Sequence, residues 1–164
     1  MNLRKSKKNR RQEGRQSALS SGVAAAWPIC LGYAPIGLAF GVLAQKAGLT
    51  PLEIGLMSVI VFAGSSQFIA VSMLAAGASL VSIVATAFIV NLRHFLMSSA
   101  LAVYLKNADR IKLTFYSYGV TDESFAVNLT RFRASDWDLN SALATNFTAN
   151  FTWVITTMLG GIGG

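Results

Sequence analysis

Long uncharged stretches divide the chain into segments that are long enough to cross a membrane. No Asp, Glu, Lys or Arg occurs from Gln16 to Gln45 or from Ile54 to Leu92. A helix crosses a bilayer with about 20 apolar residues, and a soluble core cannot use 39 consecutive uncharged residues without exposing some of them. The pattern predicts an all-α, polytopic helical membrane protein. Its approximate spans are residues 17–45, 52–76, 81–105, 113–130 and 139–159.

The first of these spans is interrupted by prolines and glycines, among them Pro28, Gly32, Pro35 and Gly37. Proline removes a helical donor and clashes with the preceding turn. The pattern therefore predicts a broken first span, with two half-helices meeting inside the membrane; the alternative is an ordinary proline kink. Transporters use such breaks to present helix ends to substrate, which makes Pro35 and Gly37 candidate substrate-binding residues.

Three polar residues lie near the midpoint of the span Val81–Leu105, namely Asn91, Arg93 and His94. An arginine at this depth keeps its charge. It must be compensated by a buried partner, a wet cavity or an anionic substrate. Two interpretations stay open, a role in a transport path and a purely structural ion pair that locks helices together.

The preceding span carries a polar patch at its own midpoint, with Gly64, Ser65 and Gln67 in it. A tight connection over residues 77–79 predicts that this span packs antiparallel to the next one. The patch then lies level with Arg93, so its residues are further candidates for substrate binding. Small and polar residues are also common in ordinary helix packing within membranes.

Residues 113–130 are less hydrophobic, because Asp122 and Glu123 lie in the middle of the segment. The segment is either a short pair of interfacial helices or a span whose acids face the interior of the bundle. The need of Arg93 for an anionic counterpart favours the second interpretation and makes both acids candidate site residues.

The net charge of +7 is concentrated at the N-terminus, since seven of the fourteen Lys and Arg residues precede Ser17. Basic residues that flank a span mark its cytoplasmic end. We therefore expect residues 1–16 to be a basic cytoplasmic tail, residues 17–164 a transmembrane domain, and no nucleic-acid partner. If the first segment crosses once, the basic residues divide 9 inside to 4 outside; if it folds back, they divide 11 to 2, which the rule slightly favours.

Other chemistry is limited by composition. One cysteine and one histidine exclude a metal site built from these ligands, and we expect no cofactor. Ser65 or Ser66 with His94 could form an intramembrane hydrolase, but the chain lacks the Gly-x-Ser-x-Gly elbow of such nucleophiles, and we expect no enzyme. The glycine-rich end, residues 160–164, looks like a truncation or a missing span.

Several motifs follow one another in a specific order. They are Gly32-Tyr33-Ala34-Pro35-Ile36-Gly37 with Ala39-Phe40-Gly41, then Phe62-Ala63-Gly64-Ser65-Ser66-Gln67-Phe68, then Asn91-Leu92-Arg93-His94, and then Thr121-Asp122-Glu123-Ser124-Phe125. Over about residues 20–130 the chain thereby resembles the AzlC family of permease subunits, which are implicated in export of branched-chain amino acids. The resemblance implies a small membrane partner of the AzlD type, a bacterial inner-membrane location and further spans beyond this chain.

A branched-chain amino acid is a zwitterion with an aliphatic side chain, and the candidate residues suit its three parts. The carboxylate suits Arg93 or half-helix amides near Pro35 and Gly37. The ammonium suits carbonyls of the broken segment, Gln67, or the two acids, and Phe62, Phe68 and Phe95 could form an apolar wall. An ion or small-solute channel is the alternative function, because Arg93 would also attract anions.

Overall fold

The computed structural model describes the backbone of residues 2–106 and 108–164 and the side chains of residues 17–106 and 108–164. The described residues form seven helices and no strand, which confirms the all-α prediction. The predicted basic tail, residues 1–16, lies outside the described side chains. The helices are α1 (Asn2–Lys46), α2 (Pro51–Val61), α3 (Gly64–Ala75), α4 (Leu80–Ala102), α5 (Arg110–Tyr118), α6 (Asp122–Arg133) and α7 (Leu139–Gly163).

Helices α1 and α7 pack in parallel along most of their length. The hydroxyl of Thr145 donates to the carbonyl of Gly22 at 3.0 Å, and 19 residues further along α1 the backbone of Gly41 lies against Gly160. A side chain at either of these glycines of α1 would collide with the backbone of α7. Small residues allow close helix packing in membranes, so the first and last helices form the spine of the bundle.

The predicted break in the first span is wrong, because α1 continues through Pro28 and Pro35. These prolines are seven residues apart and therefore share one face of the helix, and both are exposed, on the side away from α7. Each costs one backbone hydrogen bond, a loss that membrane helices tolerate. The prediction that the first segment might fold back is likewise wrong, since α1 is one continuous helix.

The segment predicted as a span over residues 52–76 is instead a hairpin of two half-helices, α2 and α3. The side-chain amide of Gln67 donates to Ser58 Oγ at 3.2 Å. A straight helix would separate these two residues by about 13 Å along its axis. The ring of Phe68 also packs edge-on against Phe40, with centroids 5.2 Å apart. Helix α3 therefore turns back beside α2.

The segment predicted as a span over residues 113–130 is a second hairpin, formed by α5 and α6. Asn146 of α7 donates to the carbonyl of Tyr116 at 3.2 Å and accepts from Asn128 at 2.9 Å. One side chain thus reaches both half-helices, which places them next to each other. The segment is therefore neither a pair of interfacial helices nor a full span. Its two helices are short, but the connection between them lies inside the bundle.

The two hairpins enter the bundle from opposite ends. Helix α2 begins beside the end of α7, where Ile54 lies against Gly161. Helix α5 begins beside the start of α7, where Lys112 Nζ donates to Asn140 Oδ1 at 3.1 Å. The tips of the hairpins meet, since Phe62 packs against Tyr118 with ring centroids 6.3 Å apart.

Contact between the tips accompanies a break of the helix at Phe62, where the chain has no proline. Phe62 has a left-handed backbone, with φ 37° and ψ 52°, which is strained for a bulky residue. The last carbonyls of α2 have no partner within the helix, and the hydroxyl of Tyr118 donates to one of them, that of Val59. The second hairpin thereby supplies a hydrogen-bond donor to the end of α2 in the first hairpin.

Within the described residues, two helices are long and apolar enough to cross a membrane, Ser17–Lys46 and Leu80–Ala102. Helix α4 packs on α3 and α6 and has one buried residue, Leu101. Most of its large apolar side chains are exposed. A helix that exposes so much apolar surface suits a lipid environment, as predicted for a membrane protein.

Candidate functional site

A cavity of about 300 Å³ lies where the two hairpin tips meet. Helices α1, α4 and α7 close it around the tips. Its lining residues are Tyr33, Ile36, Phe62, Ala63, Gly64, Ser65, Phe68, Arg93, His94, Thr121, Asp122, Glu123 and Trp153. The charged and polar side chains come mainly from α4 and the start of α6, whereas the large apolar ones come from α1, the first hairpin and α7.

Both returning half-helices begin at the cavity. Helix α3 starts at Gly64, and no described side chain caps its N-terminus. Helix α6 starts at Asp122 behind Thr121, which forms a capping box with Ser124. Free amides and the helix dipole make a helix N-terminus favourable for negative charge. The first turn of α3 therefore offers uncapped amides at the cavity wall.

Arg93 connects α4 to both hairpins at the cavity. Its Nη1 lies 2.7 Å from Asp122 Oδ2, and its Nη2 donates to Ser65 Oγ. The exposed fraction of the side chain is 37% for Arg93 and 50% for Asp122, so the pair is open on one side. The Nε of Arg93 is buried and has no hydrogen-bond partner among the described residues.

Glu123 is held at the cavity by a tyrosine of α1. The hydroxyl of Tyr33 donates to Glu123 Oε2 at 2.7 Å and lies 2.9 Å from Thr121 Oγ1. Tyr33 is buried, so the acid is fixed by a group that cannot easily move. The cavity thus has a guanidinium on one element and a carboxylate that is not paired to it on another.

Six of the ten predicted site residues line the cavity, namely Gly64, Ser65, Arg93, His94, Asp122 and Glu123. His94 Nε2 is buried and without a partner among the residues with described side chains. Of the predicted aromatic wall, Phe62 and Phe68 line the cavity, whereas the side chain of Phe95 is 70% exposed and does not.

The other four predicted site residues do not line the cavity. Pro35 lies on the exposed face of α1, and Gly37 packs against α7, where a side chain would collide with Thr156. Both are predicted site residues only on the basis of a helix break that α1 does not have. Gln67 is fully buried behind the wall, and Asn91 belongs to α4 but lies outside the cavity lining.

Besides the predicted aromatic residues Phe62 and Phe68, five lining residues are not among the predicted site residues, namely Tyr33, Ile36, Ala63, Thr121 and Trp153. All of these except Trp153 lie within the quoted motifs, so the motifs themselves carry a signal for them. Trp153 lies in the last helix, outside every motif. Its position follows from the parallel packing of α1 and α7, which no local pattern indicates.

Comparisons with known proteins place the chain in a family. The family model described as "AzlC protein" matches residues 28–164. The chain is 33% identical over 140 residues to the inner membrane protein YgaZ of Escherichia coli, a match that covers 84% of this chain and 57% of the relative. It is 34% identical over 146 residues to an uncharacterized membrane protein of Archaeoglobus fulgidus, covering 87% and 61%.

A further relative is the branched-chain amino acid transport protein AzlC of Bacillus subtilis, 26% identical over 138 residues and covering 84% of this chain and 54% of the relative. The chain thus spans a little over half the length of these curated relatives. No solved structure matches the chain. The family model covers most of the sequence, and on that basis the chain belongs to the AzlC family.

Proposed function

We propose that the chain is the substrate-binding part of a membrane transporter that exports branched-chain or related apolar amino acids. The observation that carries the proposal is a single cavity with three kinds of wall. A guanidinium, a separate carboxylate and a cluster of aromatic side chains surround about 300 Å³. This volume is at the lower end of the range for ligand pockets, which suits a small zwitterion.

The carboxylate of the substrate binds to Arg93 in this proposal. Asp122 holds Nη1, while Nε has no partner among the described side chains. Ser65 accepts one hydrogen of Nη2, so a substrate carboxylate binds in this proposal to Nε and the second hydrogen of Nη2, the side-on pairing of an arginine through two parallel bonds. The uncapped start of α3, beside Ser65, adds a favourable dipole.

The ammonium of the substrate binds to Glu123, the carboxylate that Tyr33 fixes at the cavity. Asp122 is less suitable, because Arg93 already neutralises it. The aliphatic side chain of the substrate then points toward the apolar wall of Ile36, Phe62, Phe68 and Trp153. The predicted roles of Pro35, Gly37, Asn91 and Gln67 as direct ligands are not part of this proposal.

Direction, location and partner belong to the same proposal. The resemblance that implies export also implies a bacterial inner membrane and a small AzlD-type partner subunit. The name of the Bacillus relative, a branched-chain amino acid transport protein, supports the substrate class. The seven basic residues before Ser17 support a cytoplasmic N-terminus.

The test is leucine efflux from cells that express the chain together with its partner, normalised to the amount of inserted chain. Arg93→Lys keeps the charge but loses the forked donor. Losing one charge-assisted bond costs about 1.5–3 kcal/mol, and we expect apparent affinity for leucine to fall roughly ten- to a hundredfold.

Arg131→Lys is the matched control, because Arg131 also pairs with an aspartate, Asp136 at 3.1 Å, but does not line this cavity. We expect it to leave efflux unchanged. If Arg93→Lys matches the wild type per inserted molecule, Arg93 is structural and the proposed carboxylate site is wrong. Absence of saturable leucine counterflow in vesicles would instead favour a channel.

A further inference from the structure

We propose that Gln67 is a positioning residue that holds Trp153 in the cavity wall, and that this indole selects which apolar side chain the substrate carries. The proposal rests on the proposed function, since it concerns the apolar part of the same cavity. Gln67 lies behind the wall rather than in it. It therefore acts on the substrate through Trp153.

Trp153 is held by three neighbours, Gln67, Tyr33 and Phe40. Its Nε1 donates to Gln67 Oε1 at 3.0 Å. Tyr33 packs edge-on against the indole with centroids 5.3 Å apart, and Phe40 stacks on it at 6.1 Å. The indole nitrogen is a donor only, so its orientation depends on the one acceptor that Gln67 provides.

Gln67 is itself held in a buried polar chain that joins three helices. Its Nε2 donates to Ser58 Oγ of α2 at 3.2 Å, and Ser58 Oγ lies 2.8 Å from Thr157 Oγ1 of α7. All three side chains are fully buried. A buried polar group that loses its partner is strongly unfavourable, so this chain allows one arrangement of the Gln67 amide.

The first hairpin also limits the space that the indole can occupy. A Cβ at Gly64 would lie 3.2 Å from Trp153 Cη2, so the ring is already close to the start of α3. The indole of Trp153 therefore cannot move toward α3, and its hydrogen bond to Gln67 fixes the side-chain torsions that orient the ring. The position of the wall is set by α3 and not by α7 alone.

A fixed aromatic wall matters for selectivity because small differences in size are hard to distinguish. One methylene group in an apolar pocket is worth about 10- to 200-fold in discrimination, and only when the pocket fits closely. Releasing the indole should therefore reduce the preference between aliphatic side chains. Removing part of the indole should enlarge the space for the side chain.

The experiment measures competition by valine, isoleucine and phenylalanine against radiolabelled leucine bound to membranes that contain the chain. Gln67→Met keeps length and volume but removes the acceptor. We expect it to reduce the ratio of the affinities for leucine and valine about tenfold. Trp153→Phe should raise the relative affinity for phenylalanine about tenfold, and the double variant should show the same ranking as Trp153→Phe, because no indole remains to be positioned.

Asn128→Leu is the matched control. Asn128 is a buried amide that accepts from the indole of Trp137 at 2.9 Å, in a part of the bundle that does not line the cavity. We expect this variant to lower the amount of folded chain without changing the ranking of the amino acids. A merely structural role for Gln67 would give the same result as Asn128→Leu.

The outcomes separate the two proposals. If the wild type binds none of these amino acids, the proposed function fails. If the wild type binds them but Gln67→Met keeps the wild-type ranking, or the two single changes add in the double variant, only the positioning role of Gln67 is wrong. Should Gln67→Met fail to insert, an unchanged ranking in Trp153→Phe overturns the proposal by itself.

Discussion

Arg93 is a permanent charge in the middle of an apolar helix, and its partners lie on two different hairpins. Asp122 neutralises it across 2.7 Å, and Ser65 accepts a further bond. Charged side chains inside membranes are costly and occur where they are paired or face a cavity. Arg93 meets both conditions, so the same residue stabilises the meeting point of the hairpins and remains available to a ligand.

The pairing of Arg93 with Asp122 gives a test at the level of single residues. Asp122→Asn leaves the guanidinium without its counter-charge, and Arg93→Gln leaves the carboxylate without its own. We expect each single change to reduce the amount of inserted chain, and the double variant to recover a large part of it. Membrane-fraction immunoblots measure this, and additive losses in the double variant would show that the two side chains do not stabilise each other.

At the scale of helices and hairpins, glycines of α1 have two different environments although they look alike in the sequence. Gly41 lies directly against the backbone of Thr157, Gly160 and Gly161 of α7. Gly32, on the same helix, has no atom of the described residues within 4 Å of the position that a Cβ would take. The spine of the bundle therefore depends on particular glycines and tolerates change at others.

The same substitution at these two glycines should have opposite effects. Gly41→Ala forces α1 and α7 apart, so we expect a lower melting temperature in detergent. Gly32→Ala meets open space and gains helix propensity of roughly 0.5–1 kcal/mol, so its melting temperature should be equal or slightly higher. Equal melting temperatures for the two variants would contradict the parallel packing of these helices.

Some of this arrangement follows from sequence and some does not. Depth along the predicted spans brings Arg93 level with Ser65, and the need of Arg93 for a counter-charge indicates Asp122. In the structure these three residues lie together. The break at Phe62 has no proline to signal it, and the contact at this end of α2 comes from Tyr118, a residue 56 positions later in the other hairpin. The prediction of a break at Pro28 and Pro35 is wrong, because α1 is continuous and carries both prolines on its outer face.

Taken as a whole, the molecule has two hairpins that enter from opposite ends and a charge distribution that distinguishes those ends. Beyond the seven basic residues that precede Ser17, five more lie at the end where α1 begins, namely Lys106, Arg110, Lys112, Arg131 and Arg133. Lys46 lies at the other end, and Arg93 lies between them. This division is more uneven than either count made from the sequence, because both hairpins return to the side from which they start.

This asymmetry predicts that the N-terminus is cytoplasmic, since basic residues remain on the inner side. A reporter fused before Met1 should be active in the cytoplasm, and one inserted in the exposed turn at Gly48 should be active only on the other side of the membrane. A periplasmic signal from the first fusion would reverse the orientation. The same side for both would mean that α1 does not cross.

The parallel packing of α1 and α7 also has a consequence for biosynthesis. The hydrogen bond from Thr145 to Gly22 joins residues that are 123 positions apart. At about 5–20 residues translated per second, α1 leaves the ribosome roughly 6 to 25 seconds before its partner exists. During this interval its glycine-lined face has no matching surface. The close packing of α1 on α7 therefore forms only after α7 has been synthesised.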